Sequence, residues 1–180
     1  TNLGKQIAKG FSATLQYYII RNLKKRLTWS VRGTVRTEDT KLDGIGNTLS
    51  SLNKFGQNRS TQRYYDGADP DDIWAVRSAG IDPATGRELF IKKDGSYSYD
   101  FSYDDEVIVG NTRPDVEGTL GTNFGYHGLT FSAIFRYRLG GDSFNSSVFN
   151  KVENLSKSDW NYNQDKRALY DRWQNPGDRA

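Results

Sequence analysis

The chain has 180 residues, of which 35% are hydrophobic and 26% are charged, and its formal net charge is +3. No apolar run approaches the roughly 20 residues of a membrane-spanning helix, so helical membrane proteins are excluded. Cysteine is absent, which excludes disulfide bonds and thiolate metal sites. Lys and Arg are scattered apart from one short cluster in residues 21–26, so binding of nucleic acid is not predicted.

Residues 10–20 and 27–37 both alternate between apolar and polar side chains. A period of two predicts pleated strands, each with one apolar face and one polar face. On the first strand, one face carries Phe11, Ala13, Leu15, Tyr17 and Ile19. The basic cluster 21–26 joins the two strands, so this part of the chain is predicted to be a hairpin.

Residues 38–115 form a long connection that has its own predicted structure. Apolar residues from Ile45 to Phe55, including Leu52, recur at helical spacing, which predicts a short amphipathic helix packed on the loop. Residues 73–78 and 88–92 read as two strands around a turn at 82–86. The sequence therefore predicts a folded loop that contains a short helix and a small hairpin.

A second hairpin is predicted from residues 116–125 and 129–140, joined by a very short turn at His127. The two hairpins are followed by the long segments 38–115 and 141–180, so short and long connections alternate. Outer-membrane barrels have short periplasmic turns and longer extracellular loops. We therefore expect an all-β fold, an antiparallel transmembrane β-barrel segment of about four strands in two hairpins, with 38–115 and 141–180 as extracellular loops.

The alternation also predicts which side chains face lipid and which face the barrel interior. Apolar positions are expected to face lipid, and these are Leu15, Trp29, Val31, Leu120, Phe131 and Phe135. Arginines occupy the opposite positions and are expected to face a wet lumen, namely Arg32, Arg36, Arg136 and Arg138. Charges are tolerated in the lumen but are costly on the lipid face.

The chain offers little material for catalysis or metal binding. His127 is the only histidine and lies in a predicted turn, and no cysteine is present. A catalytic triad or a zinc site needs several such groups, so we predict no enzyme, no catalytic residue, no metal site and no cofactor. Acidic residues crowd two loops, at 66–72 and 100–106, without the spacing of an EF-hand, which leaves calcium binding open as an alternative there.

Several motifs resemble one family of membrane proteins. These motifs are WAVRSAGIDPATGR at 74–87, VGNTRP at 109–114, GYHG at 125–128, and DKRALYDRW at 165–173 followed by NPGD. In this order they resemble the C-terminal barrel region of SusC/RagA-type TonB-dependent outer-membrane transporters. The resemblance implies that residues 1–180 are a partial C-terminal segment of a plugged barrel of roughly 22 strands, located in the cell outer membrane.

The same resemblance implies a function and a set of partners. Such transporters import glycans, peptides or similar large nutrients with energy from an inner-membrane complex. The implied partners are the remainder of the same barrel, the lipid bilayer, a SusD-like surface lipoprotein that acts as a lid, and the TonB complex, reached through an N-terminal part. We expect the chain to be a fragment, because it includes no plug and no TonB-contacting segment.

Aromatic residues in the two long loops are candidates for contact with the lid or the substrate. They are Tyr64, Tyr65, Trp74, Trp160, Tyr162, Tyr170 and Trp173. The alternative is that these rings pack the loops' own small cores.

A second function is also compatible with the sequence. A soluble β-rich surface adhesin or carbohydrate-binding module would bury the same apolar strand faces against a second layer. The long segment at 38–115 would have to supply that layer, and it is polar and rich in turns.

Overall fold

The computed structural model describes residues 4–178, apart from the side chain of Trp160. Nine strands are present in the described part of the chain: β1 (Lys5–Asn22), β2 (Leu27–Asp43), β3 (Asp72–Ala75), β4 (Arg77–Ile81), β5 (Glu88–Ile91), β6 (Tyr97–Ser98), β7 (Val107–Asn111), β8 (Val116–Tyr126) and β9 (Leu129–Leu139). The helices are short: α1 (Ser50–Gly56), α2 (Ser146–Val148) and α3 (Arg167–Tyr170), with single turns of other helix types at Tyr103–Asp105, Phe149–Glu153 and Lys157–Asn161.

The main element is a four-stranded antiparallel sheet with the order β1-β2-β8-β9. The predicted all-β, antiparallel fold is therefore confirmed, and the two hairpins are joined edge to edge by the pairing of β2 with β8. The outer strands are β1 and β9, so the sheet is open and not a closed barrel. Every helix among residues 4–178 is too short or too polar to cross a lipid bilayer.

The register places the apolar residues that were predicted to share a face on one side of the four-stranded sheet. Directly opposed residues of antiparallel strands share a face, and Leu15 lies opposite Gly33, Gly33 opposite Leu120, and Leu120 opposite Phe135. On the opposite face of the sheet, Thr34 lies opposite Thr119, and Thr119 lies opposite Arg136. The two-faced character expected for each strand thus extends across the whole sheet.

The alternation predicted for the first strand is interrupted near the end of β1. A β-bulge shifts the register between Tyr18 and Ile20, so Ile20 and not Ile19 lies opposite Trp29. A bulge adds one residue to one strand and moves later side chains to the other face. Simple alternation could not reveal this, because Ile19 and Ile20 are equally apolar.

The first hairpin is also longer than expected. The sequence predicted strands at 10–20 and 27–37, whereas β1 begins at Lys5 and β2 continues to Asp43. Polar residues dominate these extensions, so they lack the apolar alternation that marks the rest of the strands. The connection that follows β2 therefore begins after Asp43.

The chain divides into two compact units. The first comprises the residues up to Asp72 together with Gly110–Asp142, and it contains the four-stranded sheet and α1. The second comprises Ile73–Val109 and the residues from Ser143 onward, and it contains the three-stranded sheet β4-β5-β6 and the remaining short helices.

Helix α1 does not pack as its spacing predicted. Leu52 and Phe55 were expected to be covered, but they are 48% and 60% exposed. The buried residue of the helix is Asn53, whose side chain donates to the Tyr64 carbonyl and accepts from the Tyr64 N–H, both at 2.9 Å. Side-chain to backbone hydrogen bonds, and not an apolar face, therefore tie α1 to the loop.

The strand predicted at 73–78 is divided between two sheets. Residues 73–75 belong to β3, which pairs with β7, whereas β4 begins at Arg77 and pairs with β5. The turn at 82–86 joins β4 to β5, and Gly86 has the positive φ of 70° that this position needs.

Candidate functional site

The apolar face of the four-stranded sheet is open to its surroundings. Leu15 is 74% exposed, Phe131 is 60% exposed and Phe135 is 68% exposed. Among the described residues, the buried hydrophobic side chains are those of Ile45, Ala68 and Ile73, none of which lies in the alternating parts of these strands. An exposed apolar surface of this extent marks contact with an apolar partner or with lipid.

Two polar side chains on this apolar face, Trp29 and Tyr137, find partners within the sheet. The Trp29 indole N–H donates to the Thr122 hydroxyl at 2.9 Å, and the Tyr137 hydroxyl donates to the Thr34 carbonyl at 2.9 Å. Buried or lipid-exposed polar groups are costly unless they are hydrogen-bonded. The face can therefore meet an apolar environment without leaving these two side chains unsatisfied.

The opposite face of the sheet is polar and carries all four arginines predicted for it. Arg36 lies opposite Glu117, which lies opposite Arg138, while Arg136 lies opposite Thr119 and Arg32 opposite Gly121. These side chains are grouped on one face by the register of three different strands. Alternation alone was sufficient to assign them.

Glu117 organises the charges at one end of this face. Its carboxylate is 3.2 Å from Nε of Arg138 and 3.6 Å from Nη2 of Arg136. Next to it, the hydroxyls of Thr34 and Thr119 are 2.8 Å apart. Ile134 is a large apolar side chain on this otherwise polar part of β9; it is 77% exposed and lies opposite Gly121.

A cleft of about 300 Å³ lies in the first unit where this polar face meets the segment before β8. Its charged lining consists of Arg36, Glu38, Asp71, Arg113, Glu117 and Arg138. Three cations and three anions balance, so the cleft offers donors and acceptors to a polar solute without a strong net charge.

Arg113 is the centre of this cleft and was not predicted. Its side chain is 17% exposed, and it donates to Asp71 Oδ2 at 2.6 Å, to Asp69 Oδ1 at 3.2 Å and to the Thr40 hydroxyl. Burial lowers the pKa of the guanidinium, but the Asp71 hydrogen bond and the nearby carboxylates outweigh it and raise the pKa above its usual value. Arg113 therefore stays charged and fixes the loop on β2.

The acidic group at 66–72 is used for internal contacts. Asp69 and Asp71 face Arg113, Asp72 accepts from the Asn111 side-chain amide at 3.0 Å, and Asp66 accepts from the backbone N–H groups of residues 45 and 46. Within residues 4–178, no three His, Cys, Asp or Glu side chains converge in a way that would hold a metal ion. The carboxylates at 66–72 therefore stabilise the first unit through internal contacts.

The second acidic group belongs to the second unit and has its own contacts. Asp105 accepts from the Lys93 N–H at 3.2 Å, and Asp100 is 3.9 Å from the Arg87 guanidinium. Glu106 is buried, with 7% of its surface exposed. These carboxylates are separated by their individual partners and do not form a common site.

The predicted loop aromatics are divided between the two units. Tyr64 is half-buried and Tyr65 is 44% exposed in the first unit. In the second unit, Trp74 is half-buried, whereas Tyr162 and Tyr170 are each 71% exposed. The prediction for Trp160 concerns a side chain outside the described part of the structure.

Trp173 is held by the turn at 82–86. Its indole N–H donates to the Pro83 carbonyl at 2.9 Å, and a Cβ at Gly86 would lie 2.6 Å from its ring. The ring also lines a cleft of about 800 Å³ within the second unit, beside Arg167 and Asp171. Trp173 therefore packs on its own unit and leaves part of its surface to the cleft.

Comparison with protein-family models gave no match, and neither did comparison with curated proteins. Several chains of solved structures are similar to this chain, including the following two. One is the structure of the RagAB peptide transporter, with a TM-score of 0.71 and 20% identity over 97% of this chain and 19% of that chain. The other is the RagAB peptide importer in the "closed-closed" state, with a TM-score of 0.62 and 19% identity over 84% of this chain and 17% of that chain. At this identity the likeness shows the fold, and the chain spans about a fifth of the length of these neighbours.

Proposed function

We propose that this chain is a section of the wall and extracellular loops of an outer-membrane nutrient importer. The observation that carries the proposal is the four-stranded sheet with one exposed apolar face and one polar face. A lipid-facing barrel wall has this alternation of apolar and polar sides. The similarity in fold to structures described as a peptide transporter and a peptide importer supports the same role.

In this proposal the polar face lines the path of the solute. The lumen-facing arginines, together with Arg113 and Glu117, present a wet surface with charges of both signs. Peptides and similar large polar nutrients carry both donors and acceptors, so this surface suits their passage without holding them tightly. The role is a non-catalytic one, and His127 supports it by lying exposed in the turn between β8 and β9.

The proposal extends to the partners of the complete transporter. The exposed rings of Tyr162 and Tyr170 suit contact with a SusD-like surface lipoprotein, because aromatic side chains with a polar edge are enriched at protein interfaces. The open edges of β1 and β9 are expected to pair with the rest of the same barrel, since unpaired strand edges cannot lie in lipid. TonB would act through a part outside this chain.

Two neighbouring residues of β9 provide the test. Phe135 lies on the apolar face and is 68% exposed, and Ile134 lies on the polar face and is 77% exposed. We expect Phe135→Arg in the full-length protein to cost roughly 2–4 kcal/mol of folding free energy in lipid. Ile134→Arg is expected to change it by less than about 1 kcal/mol, because it adds a charge to a wet face. Folding into lipid vesicles, followed by equilibrium unfolding, measures both.

Comparing Phe135→Arg with Ile134→Arg separates the effect of the surrounding medium from the effect of adding a charge to the strand. Both substitutions replace an exposed apolar side chain with the same charged one, one residue apart in the same strand. A water-exposed sheet would tolerate both equally. Equal tolerance of the two variants would therefore contradict a membrane-facing role for the apolar face.

A further inference from the structure

We propose that the turn between β1 and β2, with Lys24, Lys25 and Arg26 at its tip, binds the headgroups of anionic phospholipids in the adjacent membrane leaflet. The inference rests on the proposed function, because it requires the sheet to cross a bilayer. It adds a specific lipid class and a specific site to that function.

The first observation is the absence of carboxylates around this turn. Residues 1–37 and 118–141 contain no Asp or Glu, so all acidic residues lie in the segment 38–117 or beyond 141. Among residues 4–178, no ion pair involves the three cations of the tip, and all three side chains are exposed. Their charge is therefore available to a partner from outside the chain.

The second observation is that the turn has a fixed shape. The Asn22 side chain accepts from the Lys25 N–H at 3.0 Å, and the Arg26 N–H donates to the Leu23 carbonyl at 3.2 Å. The Arg26 carbonyl accepts from the His127 N–H at 3.1 Å, which ties this turn to the turn between β8 and β9. A turn with a fixed backbone keeps its cations close together, which lowers the part of the entropic cost of binding that comes from ordering the backbone.

The third observation is that the apolar face of the sheet reaches this turn. Leu23 within the turn is 73% exposed, and Leu129 and Tyr126 at the adjoining strand ends are 76% and 47% exposed. Tyr126 and Leu129 are directly opposed on the apolar face. The cations therefore lie immediately beyond the apolar band, at the level where phospholipid phosphates meet the hydrocarbon.

Arg21 is excluded from the proposed site on geometric grounds. It lies opposite Thr28 on the polar face, and its guanidinium carbon is 5.4 Å from the centre of the Tyr18 ring. It thus points to the interior side of the sheet. The lipid site consists of the tip residues and the apolar side chains beside them.

The combination of charge and apolar contact favours lipid over a soluble anionic partner. Clusters of Lys and Arg next to a membrane-embedded segment attract anionic lipids, and the attraction falls within a Debye length of the surface. A soluble anionic partner would use the cations alone, whereas a phospholipid would also contact the exposed side chains of Leu23 and Leu129 through its acyl chains. The cations and the adjoining apolar side chains together therefore favour a lipid with a negatively charged phosphate headgroup as the ligand.

The test compares two double variants of the full-length protein. Lys24→Gln/Lys25→Gln removes two charges at the tip, and Lys9→Gln/Lys41→Gln removes two exposed charges toward the other end of the same hairpin. Binding of phosphatidylglycerol and of phosphatidylcholine is measured in a neutral detergent by native mass spectrometry. We expect the tip variant to weaken the first phosphatidylglycerol site about tenfold and to leave phosphatidylcholine unchanged. The control variant should bind both lipids as the parent protein does.

The outcomes separate this inference from the proposed function. Unchanged phosphatidylglycerol binding in the tip variant, or an equal loss in both variants, would overturn the lipid site, and the latter would mean that only net charge matters. Loss of binding to an anionic soluble protein, with lipid binding intact, would likewise overturn it. Neither result affects the comparison of Phe135→Arg with Ile134→Arg, which tests membrane insertion by itself.

Discussion

Gly118 shows how a single residue shapes the apolar face. Without a Cβ at this position, the Tyr137 ring lies across the strand, and its hydroxyl reaches the Thr34 carbonyl. A Cβ built at Gly118 would lie 1.9 Å from that carbonyl oxygen and 2.6 Å from the Tyr137 hydroxyl. The glycine is therefore needed for the hydrogen bond that satisfies Tyr137.

We predict that Gly118→Ala lowers the free energy of unfolding by about 1–3 kcal/mol, because a backbone carbonyl has to move. Gly121 of the same strand is the matched control, since its nearest atoms would be 3.8 Å from a new Cβ. Gly121→Ala is expected to stay within about 0.5 kcal/mol of the parent. Denaturant unfolding of both variants checks this, and equal values would refute the role given to Gly118.

For single residues, the sequence was sufficient to predict a position that follows from alternation along a strand. It was not sufficient to predict contacts between residues that are far apart along the chain. The four arginines of the polar face could be assigned to that face because each side chain's face follows from its position in a strand. Arg113 could not, because Asp71 and Thr40 are 42 and 73 positions away along the chain. Its only sequence signal was its place within the motif VGNTRP.

At the scale of elements, the turn between β4 and β5 is a well-defined unit of structure. The Asp82 carboxylate accepts from the Tyr99 hydroxyl at 2.5 Å, from the Ala84 N–H at 3.0 Å and from the Thr85 hydroxyl at 2.8 Å. These bonds, with the Tyr99 bond the strongest, hold the pKa of Asp82 below its usual range. The same contact raises the pKa of Tyr99.

The sign of the resulting pH dependence follows from linkage. Because the pKa of Asp82 is lowered in the folded state, its contribution to stability is complete above the usual aspartate range. It is lost as the pH falls through the lowered pKa. The turn is therefore expected to loosen on acidification and to be unaffected near neutral pH.

Replacement of the tyrosine hydroxyl tests this turn directly. In Tyr99→Phe, the pKa of Asp82 is expected to rise toward the usual range, as measured by carboxyl-carbon NMR titration of selectively labelled full-length protein. Asp94 is the control, because its pKa is lowered by Ser96 and should not move. An unchanged titration of Asp82 would show that Tyr99 does not determine its pKa.

Some features of the strands could be predicted from the alternation of apolar and polar residues, and others could not. Both hairpins follow from alternation, and the turn at His127 is as short as expected, with φ values of 48° and 95° at His127 and Gly128 that suit a two-residue hairpin turn. The bulge at Ile19, the polar extensions of β1 and β2, and the split of residues 73–78 between two sheets do not follow from it. Each of these depends on pairing with another strand, which periodicity does not encode.

At the scale of the whole molecule, the decisive property is the contrast between the two faces of the four-stranded sheet. A soluble module would bury its apolar face, yet Phe131 and Phe135 are 60% and 68% exposed. The same sheet carries the arginines and threonines on its other side. The proposed wall between lipid and water would account for both faces together.

The most direct test is to measure which side of β9 meets lipid in the assembled protein. The chain has no cysteine, so single cysteines introduced at consecutive positions of β9 can each carry one spin label. Labels at positions 131, 133 and 135 are predicted to collide mainly with oxygen dissolved in the bilayer. Those at 132, 134 and 136 are predicted to collide mainly with a water-soluble nickel chelate. Equal access of the nickel chelate to both sets would contradict the account.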